Sequence, residues 1–153
     1  MTPTLYFLRS SEAKIVTDML QYAHPELDDA KVYSEFYGLT NKDLGLYALV
    51  EHKIAGAIWS RIIDNVPLIS LGILPEFEDT DLNDAMMQQF LVEAAALYET
   101  MLIHTYTDSK RIEFLKKHDF QHCNDAKEMM QISLEKKEII RPTDGYDARK
   151  WMD

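Results

Sequence analysis

The stretch that decides the fold is residues 45–63, which read GLYALVEHKIAGAIWSRII. Two mostly apolar runs, residues 45–51 with Tyr47, Leu49 and Val50 and residues 54–63, flank the pair His52-Lys53, which suits a tight turn. Runs of this length and composition are typical of strands. The stretch therefore predicts a β-hairpin.

Strand and helix patterns continue on both sides of this hairpin. Asp64 and Asn65 suit a second turn, and the mostly apolar run at residues 66–74 predicts a third strand in the centre of a sheet. The spacing of apolar residues, capping residues and further β-rich runs predict the other elements. These are strands at residues 4–8, 101–106, 120–122 and 129–135 and helices at residues 10–23, 28–38, 82–98 and 108–118. Asp108 can cap the last of these helices. The order β-α-α-β-β-β-α-β-α-β-β predicts an α/β fold, with an α+β mixed sheet flanked by helices.

The helix predicted at residues 82–98 has a second half that is apolar on nearly every side, from Phe90 to Leu97. A helix without a polar face is typical of burial between other elements. We therefore expect this helix to be buried.

Length and composition indicate one globular domain. The chain has 153 residues, of which 46% are apolar and 10% aromatic, which is enough for a sizeable core. Its single cysteine, Cys123, rules out an intrachain disulfide and favours a reducing, cytoplasmic compartment. No signal peptide and no membrane-spanning run is recognisable. We expect a domain at residues 1–135 and a charged tail at residues 136–153, docked either on that domain or on the partner subunit of a homodimer.

Acidic residues are concentrated in the middle third of the chain. The net charge is −10, and residues 62–109 contain no Lys or Arg. The acidic residues of this segment are Asp64, Glu76, Glu78, Asp79, Asp81, Asp84, Glu93, Glu99 and Asp108. Such an acidic protein is a poor partner for nucleic acid or anionic membranes, because both need a basic surface.

Three short motifs, in the same order as the predicted elements, resemble the GNAT family of N-acetyltransferases over residues 5–134. Residues 45–63 resemble the family's second and third strands, with Gly56 at its usual place. Residues 71–77 (LGILPEF) resemble the end of its fourth strand, and residues 109–120 (SKRIEFLKKHDF) resemble the helix before its Gly-Phe pair. The resemblance implies a GNAT-like acyl-CoA N-acyltransferase fold and an acetyltransferase that uses acetyl-coenzyme A (acetyl-CoA).

The family binds the pyrophosphate of acetyl-CoA through an Arg/Gln-x-x-Gly-x-Gly/Ala loop at a helix start, where backbone N–H groups and the helix dipole meet the anion. Counted from Pro75, the arginine position is Glu78. The two glycine positions are Asp81 and Asn83, and a further glycine position is Asp79, so the loop is degenerate. The resemblance implies coenzyme-binding residues in three places: at the end of the fourth strand, in this loop, and at the position that contacts the pantetheine arm. These residues are Ile73 and Leu74, then Glu78, Asp79, Thr80, Asp81, Leu82 and Asn83, and finally Ser109.

The acidic loop allows three interpretations. Carboxylates facing a pyrophosphate would weaken coenzyme binding, unless Lys110 and Arg111 of the next helix lie beside the loop. In the favoured interpretation, Asp79, Asp81 and Asp84 cap the free N–H groups of the helix start and so occupy the phosphate site themselves. A calcium loop is disfavoured, because the position that needs Gly is Asp84.

The family's usual catalytic groups have no counterpart in this sequence, so the catalytic residues are unknown. The family often uses a tyrosine as acid, at the position of Leu115, and a glutamate as base, close to the position of Ser70. Asp119 replaces the glycine before Phe120. Ser109, at the position of an asparagine that touches the pantetheine arm, is better explained as a helix N-cap.

His118, His122 and Cys123 are further candidate metal ligands. The predicted helix ends between the two histidines, so the three side chains do not share one helix face. We therefore expect a surface histidine pair beside a buried or partly buried cysteine, and no metal site.

Two functions are compatible with the sequence. The first is transfer of an acetyl or acyl group from acyl-CoA to an amine of a small molecule or protein, and the acidic surface favours a cationic acceptor. Catalysis would then rest on positioning and on backbone N–H groups near Ile73 and Leu74 that contact the thioester oxygen. The second is a catalytically inactive GNAT-fold binding or regulatory protein with lost or weakened CoA binding. The sequence supports the two functions about equally, so it does not decide whether the chain is an enzyme.

Overall fold

A computed structural model of the chain describes residues 3–23, 25, 43–78, 80–106, 108–123 and 128–134. Within these residues it contains seven strands: β1 (Thr4–Phe7), β2 (Leu44–Val50), β3 (Lys53–Ile63), β4 (Val66–Ile73), β5 (Thr100–His104), β6 (Gln121–His122) and β7 (Met129–Ser133). The same residues contain three α-helices and one 3-10 turn: α1 (Ser10–Ala23), α2 (Leu82–Ala94), α3 (Ser109–Lys117) and the turn at Pro75–Phe77.

The seven strands form one mixed sheet in the order β1-β2-β3-β4-β5-β7-β6. Neighbouring strands pair antiparallel except for β4 and β5, which run parallel. Parallel neighbours need a crossover connection, and α2 supplies it between β4 and β5. The predicted α/β fold with a mixed sheet flanked by helices is confirmed.

Both hairpins of the central strands close with two residues in the left-handed backbone region. Glu51 and His52 have φ angles of 50° and 67°. Asp64 and Asn65 have φ angles of 51° and 66°. Two successive positive φ angles are typical of the type I′ turn, whose twist matches that of the flanking strands. The second predicted turn is confirmed, whereas the first lies one residue earlier than predicted, because β3 already begins at Lys53.

The two faces of the sheet carry different helices. Gly56 of β3 faces α2, because a Cβ atom there would lie 3.1 Å from Met86 Cε and 2.8 Å from the carbonyl oxygen of Gly72. The opposite face carries α1. Tyr47 of β2 pairs with Ala57, the neighbour of Gly56, and so lies on this opposite face. Its side chain hydrogen-bonds Glu12 of α1. We refer to these surfaces as the α2 face and the α1 face.

One hydrophobic core joins the strands to the helices. Ile58 and Trp59 of β3 and Phe90 of α2 are fully buried. Leu115 of α3 and Met130 of β7 are fully buried as well and belong to the same cluster. Both halves of the sheet therefore pack into a single core.

α2 is shorter and less buried than predicted. It ends at Ala94, and the N–H groups of Leu97 and Tyr98 both donate to the Ala94 carbonyl in the turn that follows. Val92 is 41% exposed and Leu97 is 58% exposed. The prediction was wrong because the apolar run continues past the end of the helix into an exposed turn, and because Val92 lies on the outer side of the helix.

The other predicted boundaries agree with the described elements within two residues. The helix predicted at residues 28–38 and the tail at residues 136–153 lie outside the described residues. They remain predictions, as does the domain boundary at residue 135. Among the described residues, no helix has the length and apolar character needed to cross a membrane.

Candidate active site

The two parallel strands of the sheet, β4 and β5, pair along only part of their length. β4 and β5 share two residue pairs, of which the last is Ile69–Ile103, although both strands continue toward their carboxyl ends. On its other side, β4 stays paired with β3 along its whole length. The parallel strands therefore part between residues 70–73 of β4 and His104 of β5. We call this opening the strand gap, and open α/β sheets bind their ligands at this end of the strands.

The backbone donors expected beside the gap are the N–H groups of Ile73 and Leu74. The N–H of Leu74 donates to the carbonyl oxygen of Ala55 on β3, 2.8 Å away. The expectation is therefore wrong for Leu74, because its N–H continues the β3–β4 pairing. Hydrogen bonds alternate in direction along an antiparallel strand, so the N–H of Ile73 lies on the side of the strand gap.

The start of α2 is not capped as the sequence suggests. Asp81 occupies the N-cap position but makes no side-chain capping hydrogen bond. The Thr80 hydroxyl takes this role, because it accepts from the N–H of Leu82 at 3.3 Å and donates to the carbonyl of Phe77 at 2.6 Å. Self-capping by carboxylates is therefore wrong for Asp81, and Asp79 lies outside the described residues.

Asp84, in the first turn of α2, binds the end of α3. Its Oδ1 lies 2.7 Å from His118 Nε2, and its Oδ2 accepts from Lys117 Nζ at 2.9 Å. Burial acts to raise the pKa of Asp84, but the hydrogen bonds from Lys117 and His118 outweigh it and hold that pKa below its usual value. We call these three residues the interhelix clamp. It neutralises one carboxylate of the acidic segment and shows that Asp84 does not serve as a helix cap.

Lys110 and Arg111, the cations expected to compensate the acidic loop, lie in the first turn of α3. Arg111 Nε donates to the carbonyl oxygen of His104 at 2.7 Å, and its guanidinium carbon lies 5.3 Å from the centre of the Tyr106 ring. Lys110 is exposed in the first turn of α3, at the end opposite the clamp. The last turn of α3 contacts the start of α2 through the clamp, whereas both cations lie in its first turn. Their compensation of the acidic loop remains a prediction.

Asp108 caps α3, as predicted. Its side chain accepts from the N–H groups of Lys110 and Arg111. Ser109 is the first helical residue and is exposed, so its interpretation as the N-cap was wrong by one residue.

Buried residues occupy the positions of the family's usual acid and base. Leu115 is fully buried, and Ser70 is 2% exposed. Neither side chain can serve in the usual proton-transfer role. Asp119, at the glycine position before Phe120, has a φ angle of 71°, a left-handed conformation that glycine adopts readily. Asp119 therefore adopts the backbone conformation that suits the family's glycine, although the residue itself differs.

The three candidate metal ligands near the end of α3 do not form one site. His118 is not the surface residue expected, because its side chain is only 8% exposed, with the Phe114 ring 4.9 Å away. His122 is exposed and Cys123 is partly buried. No group of three or more potential metal ligands occurs within the described part of the chain.

An aromatic stack at the carboxyl end of β5 was missed by sequence reasoning. The rings of His104 and Tyr106 lie 5.7 Å apart with an interplanar angle of 17°. Tyr106 has a φ angle of 52°, which non-glycine residues seldom adopt. The available signal was a His-x-Tyr pair at the end of a strand and directly before a capped helix.

Solved structures with this arrangement carry acetyltransferase names. Neither a protein-family model nor a curated protein sequence matches the chain. The ribosomal-protein-S18-alanine N-acetyltransferase of Escherichia coli superposes with a TM-score of 0.69 at 12% identity, covering 92% of this chain and 99% of that one. A GNAT superfamily phosphinothricin acetyltransferase of Sinorhizobium meliloti, solved with acetyl-CoA, gives a TM-score of 0.68 at 16% identity and covers 95% of both chains. A GNAT family acetyltransferase of Brucella melitensis, also solved with acetyl-CoA, gives 0.65 at 10% identity, covering 86% of this chain and 88% of that one.

These likenesses define the fold. The chain has the GNAT fold, as the sequence resemblance implies, with its mixed seven-stranded sheet and flanking helices. The identities of 10–16% among the three neighbours named above support the fold alone.

Proposed function

We propose that the chain is an N-acyltransferase that moves an acetyl or acyl group from acyl-CoA to an amine. The strand gap between β4 and β5 is the observation that carries the proposal. The pantetheine arm of acyl-CoA is extended and contains amide groups, so it can add to the edge of a strand through backbone hydrogen bonds. The proposed contact is with the β4 side of the gap, toward which the N–H of Ile73 points. Acetyl-CoA in two of the structural neighbours supports the same donor for this chain.

The thioester end of the coenzyme fits this chain better than its phosphates do. Glu78 and Asp81 are exposed carboxylates at the start of α2, and Lys53 is paired with Glu76 in the turn before them. Phosphates would be held there by backbone N–H groups and the helix dipole, without a cationic side chain on the loop. The residues proposed to line the coenzyme are Ile73 in the gap, the loop at the start of α2 and the first residue of α3: Ile73, Glu78, Asp79, Thr80, Asp81, Leu82, Asn83 and Ser109.

The proposed acceptor is a cationic amine, on either a small molecule or a protein. The chain carries a net charge of −10, and residues 62–109, which contribute β4 and β5, contain no Lys or Arg. A surface of one sign attracts ligands of the opposite sign and raises their rate of association. The acidic middle segment of the chain would therefore favour ammonium groups over anionic acceptors.

A second candidate is a GNAT-fold binding protein without catalysis. The burial of Leu115 and Ser70, at the positions of the usual acid and base, favours it. The two candidates differ in one property, which is whether the chain transfers the acyl group of acyl-CoA to an amine.

Turnover can be measured directly. Acetyl-CoA is mixed with spermidine, L-lysine or a peptide with a free alanine N-terminus, and free thiol is followed together with the mass of the acetylated amine. Amine-dependent thiol release supports the acyltransferase. Absence of turnover on all three amines overturns the acyltransferase and supports the second candidate, in which binding of acetyl-CoA is weakened or lost.

A further inference from the structure

Two polar residues stand at matching positions on either side of the strand gap. The last β4–β5 pair is Ile69–Ile103. The next residues are Ser70 and His104, where β4 and β5 no longer pair with each other. Matching residues on parallel neighbours point to the same face of a sheet. Ser70 is the register partner of Trp59, which lies on the α1 face by alternation along β3. The imidazole of His104 therefore borders the gap on the α1 face.

The His104 side chain is held in place by its neighbours. Its ring stacks on Tyr106, over which the guanidinium of Arg111 lies. Arg111 Nε also donates to the His104 carbonyl, which fixes the end of β5. The positive φ angle of Tyr106 is a local strain of the kind that accumulates where side chains must be positioned. His104 nevertheless stays partly exposed, so a substrate can reach it.

From this placement we infer that His104 is the general base of the acyl transfer. The inference rests on the proposed acyltransferase function and supplies a group that the usual positions lack. Leu115 and Ser70 cannot transfer protons there, whereas an imidazole can do so near neutral pH.

The chemistry balances with one base. An amine acceptor enters as an ammonium ion, and His104 takes one proton from it. The nitrogen lone pair then attacks the thioester carbonyl carbon, the carbon–sulfur bond breaks, and the electron pair leaves with sulfur as thiolate. The thiolate takes a second proton from the same nitrogen as the amide forms. His104 returns its proton to solvent, so one proton is released for each amide made.

Two other titratable side chains, those of His118 and Tyr47, are less suited to this role. His118 is engaged with Asp84 in the interhelix clamp, and its side chain is buried. Burial, together with a hydrogen bond to Glu12, raises the pKa of Tyr47 to about 12, so this phenol stays protonated near neutral pH. Tyr47 also lies on β2, two strands away from the gap.

The test compares His104→Gln with His122→Gln, a histidine substitution on exposed strand β6. The three amines above are assayed with acetyl-CoA as donor. A missing general base lowers kcat by about a hundredfold or more, while KM for acetyl-CoA stays within about threefold. His122→Gln keeps the kcat of the unmodified protein. In His104→Ala, added imidazole restores part of the lost rate, because it can enter the space that the side chain leaves.

The outcomes separate the two hypotheses. Full activity of His104→Gln in an active protein overturns the inference and leaves the proposed function standing. A joint loss of kcat, acetyl-CoA binding and thermal stability in that variant, without imidazole rescue in His104→Ala, assigns His104 a structural role and overturns the inference too. An unmodified protein that acylates none of the amines overturns the proposed function, and the inference falls with it.

Discussion

Replacing Asp84 with alanine tests whether the acidic segment holds two helices together or caps one of them. The Asp84 carboxylate lies 2.7 Å from His118 Nε2 and 2.9 Å from Lys117 Nζ. These residues are more than thirty positions apart in the sequence, so the contact joins the start of α2 to the end of α3. Its loss removes a tertiary contact and leaves a buried imidazole without its acceptor.

The expected loss of stability follows from the exposure of each partner. The His118 side chain is 8% exposed and that of Asp84 25%, and a hydrogen bond to a charged group contributes about 1.5–3 kcal/mol. The Lys117 side chain is 65% exposed, so its ion pair adds at most about 1 kcal/mol. We expect Asp84→Ala to lower the free energy of unfolding by about 2 kcal/mol. In a domain of this size that corresponds to a melting temperature lower by about 4–8 °C.

Asp81→Ala is the matched control. Asp81 lies in the same acidic segment and at the same helix start, but its side chain makes no capping hydrogen bond. Both substitutions remove a negative charge near the helix dipole, which contributes about 0.3–1 kcal/mol. Urea unfolding of both variants isolates the clamp as the difference between them. Equal losses in the two variants would refute the clamp and support the helix-dipole explanation.

The pH dependence provides a second readout of the same contact. The pKa of Asp84 is lower in the folded protein than its ordinary value of 3.8. The stabilisation is therefore present above that ordinary value and is lost as the pH falls through the lowered folded value. The difference between the unmodified protein and Asp84→Ala should shrink at acid pH. A difference that stays constant down to the acid transition would contradict this assignment.

Three further predictions concern the sheet, α3 and α1. In Gly56→Ala, a Cβ atom 2.8 Å from the Gly72 carbonyl oxygen forces two paired strands apart, so urea unfolding should show a loss of about 1–3 kcal/mol. Asp108→Ala removes the cap of α3 and should lower the free energy of unfolding by about 1 kcal/mol, with asparagine at this position retaining most of it. Burial and the hydrogen bond to Glu12 raise the pKa of Tyr47 from 10.0 to about 12. The stability that this phenol contributes is complete below pH 10 and is lost as the pH rises toward 12, and Glu12→Gln should move its ultraviolet ionisation step to lower pH.

Local features of the fold could be predicted from the sequence. The Asp64-Asn65 turn and the Asp108 cap depend on residues a few positions apart, and both are confirmed. The end of α2 was predicted too late, because an apolar run such as that from Val92 to Leu97 does not show where a helix leaves its sheet.

Most features of the candidate site depend on contacts between distant residues. The clamp between Asp84 and His118 and the strand gap beyond Ile69 arise from the approach of separate elements. Charge alone suggested that Asp84 would cap α2 or oppose a phosphate. Its partner on α3 is visible only once the chain is folded. For the same reason, the sequence identified Ser70 as a lost base position but did not point to His104 across the gap.

Calorimetric titration with acetyl-CoA tests the central claim most directly, which is that the strand gap binds the thioester end of the coenzyme beside an acidic loop. Titrations with S-acetylpantetheine, which lacks the phosphates, and with the Glu78→Arg variant serve as controls. We predict micromolar binding of acetyl-CoA that strengthens as salt rises from about 10 mM to about 0.1 M, because screening weakens the repulsion of the phosphates. Glu78→Arg should tighten acetyl-CoA and leave S-acetylpantetheine unchanged. If neither acetyl-CoA nor S-acetylpantetheine binds at up to millimolar concentration, the claim that the strand gap binds the thioester end is contradicted.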